Sequence, residues 1–228
     1  MAGAGGDAGT AGRGVMVACA PADLVAMWSK VADRIASARE ELNGLDRTAG
    51  DGDHGENMQR GFAAVAREIR ANPPADVAAS FELVGTGLIA DVAGSAGFLF
   101  GNAMIRAGRA LGEAGALDAS AVAKALGAAI DIIQRRGKAA RGDKTVLDAL
   151  FPAFDAVGAL PPDAPLARAL SVAADAAKEG AASTAQLVAT KGRASYVGDR
   201  GLGIADAGAT SAALILSALQ EFAVGQGT

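Results

Sequence analysis

An all-α fold is predicted by two features of the sequence. Apolar residues recur at steps of three and four along most of the chain, and no segment shows a convincing strand pattern. The breaks between these stripes are rich in Gly, Pro and Asp, which end helices or favour turns. About eight helices result.

The first helix carries Leu24, Trp28, Val31, Ile35, Ala38 and Leu42 along one stripe, with Asp23 as the expected N-cap and Asn43-Gly44 as the expected stop. A second carries Met58, Phe62, Val65 and Ile69. It ends at Asn72-Pro73-Pro74, where proline removes donors and pushes the preceding residue out of the α region. The third uses Val77, Phe81, Val84, Leu88 and Val92. Further helices are expected at 97–112, 118–136 with Asp118 capping, 144–158 with a kink at Pro152, 165–190 and 208–224.

A chain of 228 residues can bury a substantial core, and no mid-chain stretch reads as a long polar linker, so residues 21–228 are expected to form one domain. Residues 1–20 open with the low-complexity run MAGAGGDAGTAG and are expected to be a disordered tail, because Gly and Ala bury too little apolar area to order themselves. The stretch GRGVMVACAPA superficially resembles a signal peptide, but its apolar run from Val15 to Ala20 is too short. Cys19 is the only cysteine, so no internal disulfide forms and a cytoplasmic location is expected. A net charge of −4 argues against nucleic acid or an anionic membrane as the main partner, since both demand a basic surface.

The loops concentrate the polarity. GDGDHGENMQRG, residues 50–61, places Asp51, Asp53, the single histidine His54 and four glycines between two apolar helices. VAGSAG, RGKAARGDKT and GRASYVGDRGLGIADAGATS are similarly rich in Gly and polar side chains. Ordinary turn chemistry accounts for any one such loop. Four are harder to dismiss, and in an up-and-down helical assembly alternate loops fall at one end, where they can converge on a rim.

Asp46, Asp51 and Asp53 share one connector with Arg47 as its internal counter-charge. Three carboxylates at close quarters repel unless something positive intervenes. Hard oxygen ligands suit Mg²⁺ or Ca²⁺, and Mg²⁺ takes only one or two protein carboxylates per ion, leaving places for water and phosphate oxygens. The connector lacks the ligand alternation of an EF-hand. His54 has two readings, metal ligand or hydrogen-bond donor to a phosphate or a neighbouring Asp, and the oxygen-rich surroundings favour the donor. Asn57 lies at the start of the following helix, whose positive end favours an anion. The segment GKAARGDKT, Gly137 to Thr145, looks like a Walker A loop but follows a helix, and Asp143 stands where Lys should follow Gly. Its Gly137, Lys138, Arg141 and Lys144 either serve a nucleotide or form a solvated basic turn that complements a helix dipole.

From about Leu24 to Phe222, the chain resembles the L subunit, the nucleotide-binding component, of the dihydroxyacetone kinases. The resemblance is carried, in order, by LDRTAGDGDHGENMQRGF, AGSAG before Phe98, GKAARGDKTVLDAL and KGRASYVGDRGLGIADAGATS. It implies an antiparallel barrel of eight amphipathic helices with a lipid-like apolar interior and the nucleotide, ADP or ATP, on one rim. It implies that Asp46, Asp51 and Asp53 bridge two Mg²⁺ to the nucleotide phosphates. It also implies that His54, Asn57, Ser95, Ala96, Gly137, Val146, Arg193, Asp206 and Gly208 contact the nucleotide. Two residues depart from the family pattern: Val146 stands where a Met is expected near the adenine, and Ala207 where Pro is frequent.

The implied reaction is phosphoryl transfer to dihydroxyacetone, which a separate K subunit holds through its own histidine. The chain is then half of an enzyme, with a homodimer or a heteromer with the K subunit as its expected assembly. Two phosphate donors fit: resident ADP rephosphorylated by a phosphohistidine protein of the sugar phosphotransferase system, or exchanging ATP in a dihydroxyacetone- or erythrulose-type ketose kinase. The free-standing length leans towards the first. A fatty-acid kinase domain is disfavoured, because those chains carry Thr at the place of His54. A nucleotide-state sensor that binds a transcription regulator is the non-enzymatic alternative.

Overall fold

The computed structural model describes residues 19–225. Among them are nine α-helices and no strand: α1 (Pro21–Ser37), α2 (Arg39–Asp46), α3 (His54–Ala71), α4 (Val77–Asp91), α5 (Gly94–Gly112), α6 (Ala119–Gly137), α7 (Leu147–Gly158), α8 (Leu166–Ser183) and α9 (Ala207–Gly225). Short 3-10 turns at Thr184–Gln186, Arg193–Tyr196 and Gly198–Gly201 lie between α8 and α9. The expected tail lies outside the described residues except for Cys19 and Ala20.

Eight helices form a closed ring. α1 packs on α3, each helix from α3 to α9 packs on its successor, and α9 returns to pack on α1, while α2 lies against α3 and α9. Each core-facing stripe turns inward to bury Leu24, Trp28 and Ile35 of α1, Phe62 and Ile69 of α3, and Leu88 of α4, all at 1% exposure or less. Trp28 meets Phe81 edge-to-face at 4.9 Å between centroids. At the centre lies a cavity of about 150 Å³ lined by Cys19 and apolar side chains, among them Phe100, Met104, Leu126, Leu150 and Leu216. α9 is long and apolar enough to cross a membrane, but its place against α1, α7 and α8 accounts for that composition.

The α4–α5 pair packs backbone against backbone at two glycines. A Cβ on Gly85 would sit 2.5 Å from the Gly101 carbonyl oxygen, and one on Gly101 2.5 Å from that of Gly85. At the α7–α8 seam Gly180 of α8 fits against Pro152 of α7, whose ring leaves the Asp148 carbonyl without its usual intrahelical donor.

Several expected boundaries differ, among them the start of α5, at Gly94 rather than 97. The first predicted helix divides at Ala38, whose φ of −94° and ψ of 5° leave the helical region, so α2 diverges from α1 and runs past Asn43-Gly44 to Asp46. The N-cap of α1 is Ala20 with Pro21 at the first helical position, and the Asp23 carboxylate instead accepts the Ala20 N–H from inside the first turn. α7 starts at Leu147 rather than 144, because Lys144 has a φ of 60° that no right-handed helix includes. The predicted 165–190 helix ends at Ser183, where Thr184 turns its hydroxyl back to the Ala181 carbonyl and the chain tightens into a 3-10 turn.

The ring alternates in direction, so α3, α5, α7 and α9 all begin at the same rim. At the other rim the α5–α6 and α7–α8 connections meet, with the Ala119 N–H donating to the Ala164 carbonyl and the Ser120 N–H to that of Pro162.

Candidate functional site

A pocket of about 340 Å³ occupies the rim where those four helices begin. It is lined by the end of α2, the loop to α3, residues 93–96 opening α5, residues 144–146 before α7, and residues 189–208 leading into α9. The first turn of each helix carries N–H groups without intrahelical partners and the positive end of the dipole. Four such ends around one pocket make it receptive to anions.

The acidic loop is folded around one of its own side chains. Asp46 Oδ2 accepts the N–H groups of Gly52 at 3.0 Å and Asp53 at 3.2 Å. Gly52 turns at a φ of 75°, and this brings Asp51 and Asp53 back towards Asp46. One carboxylate oxygen from each of the three lies within 4.8 Å of the others. Asp53 is the N-cap of α3, yet its side chain makes no capping hydrogen bond. That task falls to Asn43 of α2, whose Oδ1 accepts the Glu56 N–H at 3.1 Å. Gly55 permits the approach, since a Cβ there would collide with the Arg39 carbonyl.

Arg193 Nη1 donates to Asp51 Oδ2 at 2.6 Å, and this pairing holds the Asp51 carboxyl below the usual carboxylate range. His54 Nε2 lies 2.8 Å from the buried Ser211 hydroxyl of α9 in a hydrogen bond. Burial lowers the His54 pKa against the opposing charges of Asp46 and Asp53, which favours the neutral imidazole. Asn57 is buried, and its Oδ1 accepts from Arg60 Nη2 at 2.6 Å. Opposite, Gly94 turns at a φ of 73° into the first residues of α5, so Ser95 and Ala96 line the pocket.

The other wall is built on Asp206 and the turn before α7. Asp206 Oδ2 accepts the Ala209 N–H at 2.7 Å and caps α9. Burial, reinforced by the Asp148 charge, pushes its carboxyl up to about 6. Asp148 braces the turn, its Oδ1 accepting from the Gly142 N–H at 2.5 Å and its Oδ2 from that of Thr145 at 2.8 Å. Gly208 and Val146 lie together on the pocket surface.

Eleven of the twelve residues singled out from the sequence therefore line one pocket: Asp46, Asp51, Asp53, His54, Asn57, Ser95, Ala96, Val146, Arg193, Asp206 and Gly208. Gly137 does not. α6 runs through it and turns only at Lys138, at a φ of 51°, which leaves Gly137 off the pocket lining. In the basic turn Arg141 pairs with Asp155 at 2.8 Å and stacks over Phe151, while Lys144 lines the pocket and donates to two backbone carbonyls. Ser211, Asn43 and Gly55 were missed as supports of the site, because their partners lie on other helices.

A family model described as the DAK2 domain matches residues 48–221. The chain is 34% identical over 197 residues to the ADP-binding subunit DhaL of the PEP-dependent dihydroxyacetone kinase of Escherichia coli (strain K12), covering 86% of this chain and 94% of that one. It is 39% identical over 200 residues to the D-erythrulose kinase of Mycolicibacterium smegmatis, covering 86% of this chain but 34% of that one. The crystal structure of the dihydroxyacetone kinase from C. freundii in complex with AMP-PNP and Mg²⁺ superposes with a TM-score of 0.68 at 26% identity, over 97% of this chain and 37% of that one. The chain thus spans nearly the full length of the ADP-binding subunit and little more than a third of the two larger kinases. With the family model and a near full-length relative in agreement, the chain belongs to the DAK2 domain family.

Proposed function

We propose that this chain is the nucleotide-binding subunit of a dihydroxyacetone kinase, holding ADP or ATP with Mg²⁺ and passing a phosphoryl group to dihydroxyacetone on a separate K subunit. The observation that carries this reading is the meeting of Asp46, Asp51 and Asp53 with four helix N-terminal ends in one pocket. Carboxylates alone would repel a polyphosphate, and helix ends alone would not need carboxylates. A magnesium nucleotide satisfies both.

The residues fit that group. The three carboxylates are hard oxygen donors, and their number leaves places for phosphate oxygens on two ions. When bound, Mg²⁺ would neutralise the charge that develops on the transferred phosphoryl group. Asp46, Asp51 and Asp53 would hold the ions, the first-turn N–H groups of α5 at Ser95 and Ala96 would receive phosphate oxygens, and Arg193 would add a positive charge at the mouth. His54, fixed by Ser211, and Asn57 would line the phosphate end, with Val146, Asp206 and Gly208 towards the base and ribose. The protein's part is positioning and charge, and no side chain is required as a covalent nucleophile.

The near full-length match to an ADP-binding subunit favours resident ADP, recharged by a phosphohistidine protein. The erythrulose kinase match favours the second reading, in which ATP binds, reacts and leaves. Denaturing freshly purified protein and analysing the released small molecules separates them. Near-stoichiometric adenine nucleotide is expected, since a tight complex dissociates slowly. Turnover is then assayed with a K subunit, dihydroxyacetone and Mg²⁺, supplying ATP or a phosphohistidine donor. Repeated turnover on ATP by nucleotide-free protein would replace the first reading with the second, and no binding of either nucleotide would defeat both.

A further inference from the structure

Residues 187–204 form the outer wall of the pocket and carry Arg193 across it. This segment has two short 3-10 turns, contributes no fully buried side chain besides Ala189, and is tied down at few points. Two of those points are successive residues of one turn. Asp143 accepts the Thr190 N–H on its carbonyl at 3.2 Å and the Thr190 hydroxyl on its side chain. Lys144 donates from Nζ to the Leu187 carbonyl at 3.0 Å and to the Gly201 carbonyl at 2.6 Å.

Lys144 is unusual in three respects. It is 5% exposed, it is a lysine, and it adopts a left-handed φ of 60°. A buried ammonium and a left-handed non-glycine residue are both unfavourable, and such features persist where the surroundings enforce them. Here the Asp148 carboxylate fixes the turn on either side of Lys144. The turn sends the ammonium to both ends of the segment, whose carbonyls at 187 and 201 it joins. Two of its three donors are committed there, and its charge also faces the Asp206 carboxylate across the pocket lining.

We propose that Lys144 is a positioning residue, a clasp that closes the 187–201 segment into a loop and so sets where Arg193 meets the acidic cluster and its ligand. The proposal rests on the nucleotide reading of the pocket for its ligand, but the clasp itself is read without one.

The decisive variant is Lys144→Gly, because glycine accepts the left-handed turn while losing the side chain that carries the ammonium. In the full chain, amide hydrogen exchange across 187–204 is expected to rise about tenfold or more, with exchange in the nine helices unchanged. ADP affinity in the presence of Mg²⁺ should fall about tenfold, the effect of one lost charge-assisted contact. Arg193→Gln should cost about the same, and the double variant should cost no more than either single one, since both act through one guanidinium. Unchanged exchange in the wall would overturn the clasp. So would additive losses, which would mean that Lys144 touches the nucleotide itself. If the unaltered protein binds no ADP, the nucleotide reading fails, and the exchange result alone decides the clasp.

Discussion

Arg193 and Asp51 meet at 2.6 Å across 142 positions of sequence, and this contact joins the acidic loop to the far wall of the pocket. Both side chains are more than half exposed, so the pair is screened by water and contributes little to folding. On the proposed function its importance is to the ligand. Arg193→Gln is expected to change stability by less than about 1 kcal/mol in urea titrations. In the same variant Mg²⁺ alone should bind more tightly, because a competing cation has left Asp51. Calorimetric titration of Mg²⁺ into nucleotide-free protein measures this, and weaker Mg²⁺ binding would contradict it.

Asp51→Asn should lose most of the Mg²⁺ dependence of ADP binding, at least about tenfold in affinity, with an unchanged helical circular dichroism spectrum. In the unaltered protein, ADP and Mg²⁺ at 100 times the dissociation constant should add about 2.7 kcal/mol to the native state. For a chain of this size that is a rise in Tm of roughly 5–10 °C. The absence of a melting shift in the unaltered protein would count against the site.

Asp206 links stability to pH. Its folded pKa of about 6 lies above its ordinary 3.8, so the folded state binds the proton more tightly than the unfolded chain. The group's stabilisation is complete below about pH 4 and is lost as pH rises to about 6. Relative to Asp206→Asn, the unaltered protein should therefore lose up to about 3 kcal/mol across that window, with a constant difference above it. Urea midpoints for both proteins between pH 4 and 7 test this, and a difference that does not vary with pH would refute the assignment.

Gly101→Ala forces a Cβ to within 2.5 Å of the Gly85 carbonyl oxygen and should destabilise the barrel by about 1–3 kcal/mol. Gly44→Ala, with nothing within 4 Å, should instead stabilise α2 by about 0.5–1 kcal/mol. Chemical denaturation of the two variants side by side reads both signs.

The helices were legible because an apolar stripe is a local signal: Met58, Phe62, Val65 and Ile69 announce α3, and Pro73-Pro74 its end. The acidic loop was legible because its three carboxylates lie within eight residues of one another. What escaped was set at a distance. Nothing local in Ala38, a good helix former, indicates that α1 ends there; the break lets α2 pack on α3 and α9. Pro21 did signal the true start of α1, and Asp23 drew attention from it. The left-handed Lys144 depends on the Asp148 carboxylate, and the role of Ser211 on a histidine 157 positions away. Gly137 lies off the pocket lining because α6 runs one residue past its expected end at 136 and includes it.

The return of α9 to α1 has a consequence for the protein's birth. Synthesis proceeds from the N-terminal side, so α1 must wait, with Leu24, Trp28 and Ile35 lacking part of their cover, until α9 has emerged. The same helix brings Asp206, Gly208 and Ser211, so the pocket has no complete wall before then. A ligand of this pocket cannot guide the folding of the helices made before α9, because α9 supplies part of the pocket wall. Closing a contact of such long range is also entropically slow. The exposed interval before closure is where chaperones would find this protein.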